Sequence, residues 1–432
     1  MALTPEQVAL VKSTAPLLKQ HGKAITTIFY QRMLTARPEL NNIFSLRHQQ
    51  EGAQQAALAS AVMAYATYID DLGRLTGAVD RIAQRHASLV VQPEQYAVIG
   101  QFLVAAFAEV LGDAVLTPAV VDAWVAAYRQ LADVFIRRER QLYDEFDDWR
   151  GWRTFRVHGK EVEAEHVVSL YLQPVDGRLP LPRYRPGQYV SARIRVPELD
   201  GLFQSRQLSL SMAPRDDMEV YRVSVKREEE TTTTTTTTTT MAMAGLVSSK
   251  LHDDYDVGHQ LELSAPRGEF FLDDDKEAGK AAVVLISLGV GANPVMSILQ
   301  SLANSSTDRP VSWIHGARHS GAMCFGNELR QITTRNANVR PFIFLKTVAS
   351  GDELGRDYHV EGRLSLDRLE AEEGLLHLED DAAGYYICGR TNWMAQAREW
   401  LKERGVGAER IHLELFSVGE VPMRPVGETE VG

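Results

Sequence analysis

The sequence predicts a multidomain chain of three unlike parts: an all-α region, a small antiparallel β-barrel and a parallel α/β sheet. Up to about residue 146, apolar residues recur every three or four positions, and prolines at 38, 93 and 118 divide the region into helices. From Trp152, short runs separated by Pro and Gly turns indicate antiparallel strands as far as about Phe271. From Ala281, buried strands alternate with helices, which is typical of a parallel sheet.

Individual elements follow from local patterns. Thr4 and Gln7 form a predicted capping box at the first helix. Two apolar stripes mark later helices, one made of Leu58, Val62, Tyr65 and Ile69, the other of Val121, Val125, Tyr128 and Ala132. Predicted strands cover 167–172, 189–194, 221–225, 283–287, 311–315 and 385–388, and predicted helices of the last part cover 295–302 and 394–404.

Length, charge and cysteine content narrow the class of protein. The 432 residues are too many for a single core. A net charge of −11 argues against a nucleic-acid or anionic-membrane partner, and no apolar run approaches the ~20 residues of a membrane span. The start lacks a secretion signal, and two distant cysteines do not make a disulfide framework. We therefore expect a cytoplasmic protein.

Residues 231–240 are ten consecutive threonines. Threonine favours extended backbone, but the tract has no apolar alternation, so we expect an exposed loop. A simple-repeat expansion or a sequence artefact is the alternative. Because loop-closure entropy grows slowly with length, the fold can tolerate such an insertion.

The segment around His86 is the most informative for chemistry. A helix is predicted to end at His86, and a second helix opens at Pro93 and carries Tyr96. This arrangement can hold an imidazole under a haem iron with a phenol beside it. Four earlier side chains could line an apolar oxygen pocket: Tyr30, Phe44, Gln54 and Leu58. The alternative is that His86 and these residues are ordinary core.

The barrel and the α/β part carry nucleotide-binding patterns. Residues 289–294 are a Gly-x-Gly-x-x-Pro turn, which follows one predicted strand and precedes a helix, as a dinucleotide loop requires. In the barrel, 184–189 (Tyr-Arg-Pro-Gly-Gln-Tyr) and 206–209 (Arg-Gln-Leu-Ser) are typical of flavin-binding strands. A plain strand turn is the alternative for each.

Over nearly its whole length the chain resembles the bacterial flavohaemoglobins, whose reductase half is ferredoxin-reductase-like. In the helical part, the resemblance covers residues 29–33, 38–44, 52–58, 82–86 and 93–96. It also includes Trp124, Tyr128, 138–139 and 152–153, and it extends over the reductase motifs. It implies a globin haem domain at 1–148, an FAD-binding β-barrel domain at 152–272 and an NAD(P)-binding α/β domain at 280–432.

The resemblance also assigns roles to residues. His86 would ligate the iron, Tyr96 and Glu139 would hydrogen-bond around it, Tyr30 and Gln54 would hold bound oxygen, and Phe44 and Leu58 would shape the pocket. Implied FAD contacts are Tyr189, Arg206, Gln207, Leu208, Ser209, Gly245, Val247, Ser248 and Phe416. Implied NAD(P) contacts are Gly289, Val290, Gly291, Ala292, Asn293, Pro294, Cys388 and Gly389, and Arg85 and Glu414 would tune redox potentials.

The implied activity is nitric oxide dioxygenase, in which NADH or NADPH reduces FAD, FAD reduces haem b, and nitric oxide reacts with dioxygen to give nitrate. One alternative is an oxygen or nitric oxide binding haem protein with a degenerate reductase, and another is a flavohaem oxidase using an organic donor. The first alternative rests on departures from the family pattern at Leu208, Leu288, Asn293, Arg390, Ser417 and Val418, and on the threonine tract.

Overall fold

The computed structural model describes residues 3–146, 148–228, 245–272, 281–305 and 308–416, and the backbone of 234–235 and 238–239. The three predicted parts are present in the predicted order, so the expected fold class is confirmed. The helical part consists of α1 (Pro5–Ala36), α2 (Leu46–Gln50), α3 (Ala53–Thr67), α4 (Thr76–Ser88), α5 (Pro93–Leu111) and α6 (Pro118–Asp144), with 3₁₀ turns at Pro38–Asn42 and Leu72–Leu75.

Local sequence signals set the helix starts. Thr4 accepts a hydrogen bond from the backbone of Gln7, and the Gln7 side chain accepts one from the backbone of Thr4, so the predicted capping box is confirmed. Pro93 and Pro118 occupy the first turns of α5 and α6, where the missing N–H costs nothing. The predicted division of this region into helices is therefore correct.

Helix α5 bears on the expectation that no segment of the chain spans a membrane. Among the described residues it is long and apolar enough to cross a membrane by length and composition, with a mean hydropathy of 1.2. It nevertheless contacts α1 and α6, and Leu103, Ala106 and Phe107 lie in the core of the helical part. We therefore describe α5 as a packed helix of that part.

The second part is a six-stranded antiparallel sheet in the order β4-β3-β8-β1-β2-β5. Its strands are β1 (Arg153–Ala164), β2 (Val167–Pro174), β3 (Tyr189–Val196), β4 (Leu202–Ser209), β5 (Tyr221–Lys226) and β8 (Gln260–Leu263). Leu210 bridges to Val223, which joins the two edge strands into the predicted barrel. Two residue pairs of the threonine tract form short antiparallel strands, β6 (Thr234–Thr235) and β7 (Thr238–Thr239), and the rest of the tract lies outside the described residues.

The third part is a parallel sheet in the order β12-β11-β10-β9-β13-β14. Its strands are β9 (Val283–Leu288), β10 (Val311–Ala317), β11 (Val339–Leu345), β12 (Val360–Glu361), β13 (Gly384–Cys388) and β14 (Ile411–Glu414). Helices α8 (Ala292–Asn304), α9 (Gly326–Arg335), α10 (Leu366–Leu369) and α11 (Thr391–Glu403) accompany it, while α7 (Leu246–Asp253) belongs to the barrel. Strand order reverses at β9, which puts the ligand crevice at its carboxyl end.

Candidate functional site

Three helices bring together His86, Tyr96 and Glu139. His86 Nδ1 lies 2.8 Å from the Tyr96 hydroxyl and 2.9 Å from Glu139 Oε1, and Tyr96 also donates a hydrogen bond to Glu139. Burial, and then the charge of Glu139, raise the pKa of Tyr96, so its phenol remains a proton donor. The carboxylate fixes the imidazole proton on Nδ1 and leaves the Nε2 lone pair available.

This histidine is not a satisfied core residue. About a third of its side chain is exposed (32%), whereas Glu139 is buried (2%). Within the described residues Nε2 has no hydrogen-bond partner. An oriented imidazole with a free, accessible Nε2 fits the single protein ligand of a haem iron.

The helical part contains two apolar clusters instead of one continuous core. The first includes Tyr30, and the second, beside His86, includes Tyr96 and Phe135. Among the described residues, the side chains that pack against both clusters are only partly buried: Ile43, Tyr128 and Leu131. A single domain ordinarily has one contiguous core. Partly buried apolar side chains between two separate clusters are therefore consistent with a space that a large planar apolar group would fill.

The predicted oxygen-pocket residues belong to the first cluster. The rings of Tyr30 and Phe44 lie edge to face with centroids 5.5 Å apart, and Leu58 packs partly buried against the same cluster. Tyr30 is buried, and burial raises the pKa of its phenol. The Tyr30 hydroxyl has no hydrogen-bond partner among the described residues, so it remains free to donate to a ligand.

Gln54 is held by a residue that sequence reasoning missed. Its Oε1 accepts a hydrogen bond from Gln49 Nε2, and Gln49 Oε1 accepts one of 2.9 Å from Gln55 Nε2. Gln49 and Gln55 also line a cleft of about 330 Å³ that reaches Tyr30. The bond to Gln49 orients the Gln54 amide, and Nε2, which has no hydrogen-bond partner among the described residues, is left as its donor group available to a ligand.

The barrel residues predicted to bind flavin lie at the adjacent ends of β3 and β4. Tyr189 pairs with Ser209, and Leu208 pairs with Val190. Arg206 donates a 2.7 Å hydrogen bond to a backbone carbonyl and has no carboxylate partner among the described residues. Burial lowers the pKa of Arg206 to about 10. A partly buried guanidinium that forms no ion pair with a described carboxylate fits a pyrophosphate site.

Helix α7 begins beside these strands. Gly245 precedes it with a φ of 83°, and α7 contacts β4. The side chain of Val247 lies in the barrel core, and the Ser248 hydroxyl donates to Gly245 O at 2.9 Å, so neither side chain is free for phosphate. Their contribution to a phosphate site is therefore backbone N–H groups. Phe416, at the end of the described chain, is 43% exposed.

The glycine turn has the predicted strand–turn–helix context. A 3₁₀ turn at Gly289–Gly291 follows β9 and leads into α8. A Cβ on Gly291 would lie 2.2 Å from the carbonyl oxygen of Cys388, so only glycine allows this approach to β13. The loop made of Gly289, Val290, Gly291, Ala292, Asn293 and Pro294 thus lies beside Cys388 and Gly389, at the reversal of strand order.

Two departures from the family pattern have a structural explanation in this crevice. Leu288 Cδ2 would lie 2.6 Å from a Cβ on Gly316, so the leucine occupies space that this glycine leaves open. Asn293 Nδ2 donates a 2.7 Å hydrogen bond to Ser224 O of β5, and its buried Oδ1 has no partner within the described part of the chain. Asn293 therefore uses its donor to join the α/β sheet to the barrel.

The remaining departures affect the site less directly. Leu208 is partly buried against the barrel core, so it fills space without supplying a hydroxyl. Arg390 is exposed and caps the start of α11, where its carbonyl accepts from Met394 N. Ser417 and Val418 lie outside the described residues.

Arg85 and Glu414 approach each other from different parts of the chain. Glu414 ends β14 and is buried, and burial, followed by the charge of Glu269, raises its pKa well above the usual range. Arg85 and Arg81 oppose that shift. Among the described residues no ion pair joins Arg85 to Glu414, so the two interact over a longer distance.

Comparisons with known proteins agree with this geometry. The globin family model matches residues 27–135, and that of the oxidoreductase NAD-binding domain matches residues 285–399. The Flavohemoprotein of Bordetella pertussis is 44% identical over 423 residues, covering 97% of this chain and 100% of that protein. The Flavohemoprotein of Deinococcus radiodurans is 40% identical over 418 residues, covering 96% and 97%.

A solved structure shows the same arrangement of parts. The crystal structure of flavohemoglobin from Malassezia yamatoensis with bound FAD and heme matches with a TM-score of 0.79 at 26% identity, covering 96% of this chain and 100% of that chain. The full-length identity of 40–44% to the two Flavohemoproteins, together with the oriented histidine and the two nucleotide-binding folds, determines the family. The chain belongs to the flavohaemoprotein family.

Proposed function

We propose that this flavohaemoprotein is a nitric oxide dioxygenase that draws electrons from NADH or NADPH. The observation that carries the proposal is the His86 site, whose Nδ1 is held by Tyr96 and Glu139 while Nε2 is free. When bound, haem b supplies an iron that activates dioxygen toward nitric oxide, and FAD supplies the conversion of a hydride into single electrons.

The role of His86 is to donate its Nε2 lone pair to iron. Glu139 accepts the Nδ1 proton, which gives the imidazole partial imidazolate character and makes it a stronger donor. Tyr96 donates to the same carboxylate and keeps it oriented. These two residues support catalysis through His86.

The opposite side of the pocket would select and hold diatomic ligands. Tyr30 is a buried residue whose hydroxyl has no partner among the described residues, and Gln54 presents its Nε2, so both can donate hydrogen bonds to a ligand that gains negative charge. Phe44 and Leu58 supply apolar surface and exclude water from that space.

For the reductase half we propose that Arg206 neutralises the FAD pyrophosphate, while Tyr189, Gln207, Leu208 and Ser209 border the flavin. Further FAD contacts are Gly245, Val247, Ser248 and Phe416. The nicotinamide dinucleotide would bind over Gly289–Gly291, Ala292, Asn293 and Pro294, with Cys388 and Gly389 opposite. Arg85 and Glu414 would tune the redox potentials of the cofactors.

The domain division that we propose follows the change of architecture: a globin haem domain at 1–148, an FAD domain at 152–272 and an NAD(P) domain at 280–432. We also propose a cytoplasmic location, in which NAD(P)H, dioxygen and nitric oxide are all available. The two buried, unpaired thiols at Cys324 and Cys388 are compatible with a reducing compartment.

An absorption spectrum of the purified protein, before and after NADH is added without oxygen, tests the proposal. Haem and flavin bands are expected in the first spectrum, and ferrous haem in the second. Oxygen and nitric oxide are then added, and oxygen-dependent loss of nitric oxide should follow. Haem that stays ferric would favour the binding protein with a degenerate reductase, and reduction by a hydroxy acid alone would favour the oxidase.

A further inference from the structure

One face of α4 is attached to the flavin barrel. Arg81 Nε lies 2.6 Å from Glu269 Oε1, and Gln84 Oε1 accepts a 3.0 Å hydrogen bond from the backbone of Gly268. Ser88, four residues after Gln84, makes the third attachment. Positions three and four apart lie on the same side of a helix, so these contacts form a single stripe along α4.

The Ser88 hydroxyl makes all the hydrogen bonds that it can make. It donates a 2.8 Å hydrogen bond to Arg85 O and accepts from Ser191 Oγ at 3.0 Å and from Gln207 Nε2 at 3.1 Å. A serine hydroxyl has one donor and two acceptor positions, and all three are occupied. Ser88 is completely buried (0%), so water cannot replace a lost partner.

Both strands of the proposed flavin site, β3 and β4, are connected to the Ser88 hydroxyl by hydrogen bonds. Gln207 Nε2 lies 3.1 Å from the Tyr189 hydroxyl as well as from Ser88. Tyr189 is buried, and burial raises the pKa of its phenol, so the hydroxyl stays protonated. A displacement of the Tyr189 or Gln207 side chain therefore changes a hydrogen bond to α4.

The same turn of α4 carries the iron ligand. Residues advance by about 100° on a helix, so His86 lies about 200° from both Gln84 and Ser88 and projects from the opposite side. Ser88 holds the carbonyl of Arg85, which immediately precedes the ligand. The last turn of α4 thus connects the barrel on one side to the imidazole on the other.

We propose that Ser88 is a positioning residue that couples occupancy of the flavin site to the orientation of His86, and so supports electron transfer between the two cofactors. The inference rests on the proposed function, because it takes Tyr189 and Gln207 as flavin neighbours. Loss of the hydroxyl leaves two donors of the barrel, Ser191 and Gln207, without their shared acceptor, and leaves the carbonyl of Arg85 with only its backbone hydrogen bond from Leu89 N.

The test compares Ser88→Ala with wild type in the full-length protein carrying haem. The iron–histidine stretching frequency of the ferrous form is measured by resonance Raman with FAD bound and with FAD removed. We expect a frequency shift on FAD removal in the wild type and loss of that shift in Ser88→Ala. We also expect haem reduction by NADH to slow about tenfold, within the range for outer-shell partners of a ligand, while flavin reduction keeps its rate.

Two further variants keep the test decisive. Ser169→Ala is the matched control, since Ser169 is equally buried (0%) and bonds to Ser224 Oγ at 2.8 Å inside the barrel, and it should retain the shift and both rates. Ser191→Ala removes one of the two donors to the Ser88 hydroxyl and should partially reduce the frequency shift. This variant replaces Ser88→Ala in the test if Ser88→Ala loses haem.

The proposal would be overturned if Ser88→Ala kept both the wild-type frequency shift and the wild-type rate of haem reduction. If Ser88→Ala loses haem, the same result in Ser191→Ala would overturn it. Failure of the proposed function is distinguishable, because it appears as absent nitric oxide consumption in the wild type. The Raman comparison does not depend on that activity.

Discussion

Glu139 Oε1 lies 2.9 Å from His86 Nδ1, although the two residues are 53 positions apart in sequence. The contact spans α4 and α6 and is completed by Tyr96 of α5. A buried carboxylate that accepts a histidine proton increases the donor strength of the opposite ring nitrogen. The basicity of His86, the proposed iron ligand, is therefore set by two helices other than its own.

Replacing Glu139 by Gln is expected to weaken the iron–histidine bond, because a neutral amide attracts the Nδ1 proton less and leaves the imidazole with less imidazolate character. Nitric oxide consumption should fall about 10- to 100-fold, the usual cost of an outer-shell change. Resonance Raman of the ferrous protein should show a lower iron–histidine frequency. Tyr143→Phe is the control, since the Tyr143 hydroxyl donates to Val91 O instead, at 2.8 Å. An unchanged frequency in Glu139→Gln would contradict this account.

Gln49→Leu is expected to release the Gln54 amide, which then rotates and ceases to present its Nε2 to a ligand. Since a neutral hydrogen bond contributes about 1 kcal/mol, dioxygen should dissociate about fivefold faster from the ferrous protein. Stopped-flow measurement of the dissociation rate checks this. Gln31→Leu, an exposed residue on the same cleft, should leave the rate unchanged. Equal rates in the wild type and Gln49→Leu would show that Gln54 needs no support.

Gly291→Ala is expected to disrupt nicotinamide binding, because its Cβ would lie 2.2 Å from Cys388 O and force the glycine turn away from β13. Overpacking of this kind costs about 1–3 kcal/mol of unfolding free energy. Flavin reduction by NADH should slow at least tenfold, while haem content is kept. Gly351→Ala, where a Cβ meets nothing within 4 Å, is the matched control. Wild-type flavin reduction in Gly291→Ala would refute the close approach.

His315 is expected to make the α/β part sensitive to acid. Complete burial lowers its pKa from 6.5 to about 4, and its Nε2 has no hydrogen-bond partner among the described residues. Between these values the unfolded chain binds more protons than the folded one, so stability is fully present above pH 6.5 and is lost as pH falls to about 4. The loss can reach about 3 kcal/mol.

Urea unfolding at several pH values measures this dependence. His315→Gln should flatten the decline between pH 6.5 and 4, since the variant has no group that titrates there. His158→Gln, a change at an exposed position of β1, should keep the wild-type slope. A decline of equal steepness in His315→Gln would assign the acid sensitivity to other residues.

Several features of the site could be predicted because they are local. The end of α4 two residues after His86, the start of α5 at Pro93 and the glycine turn after β9 depend on neighbours within a few residues. Helix α5 is long and apolar enough to cross a membrane, but Leu103, Ala106 and Phe107 belong to the helical core, so its apolar character does not contradict the expectation of no membrane span. Gln49 and Ser88 were missed because neither belongs to a motif, and only the position of Ser88 two residues after His86 hinted at a role.

The sequence by itself determined the order of the three architectures, the helix starts and the turn that approaches a dinucleotide, because periodicity, caps and glycines act over short stretches of chain. Only the tertiary structure decided that Glu139 meets His86, that Gln49 occupies the Gln54 acceptor, and that Ser88 joins α4 to Gln207. These contacts depend on how helices and strands pack, and packing brings together residues whose separation along the chain carries no local signal.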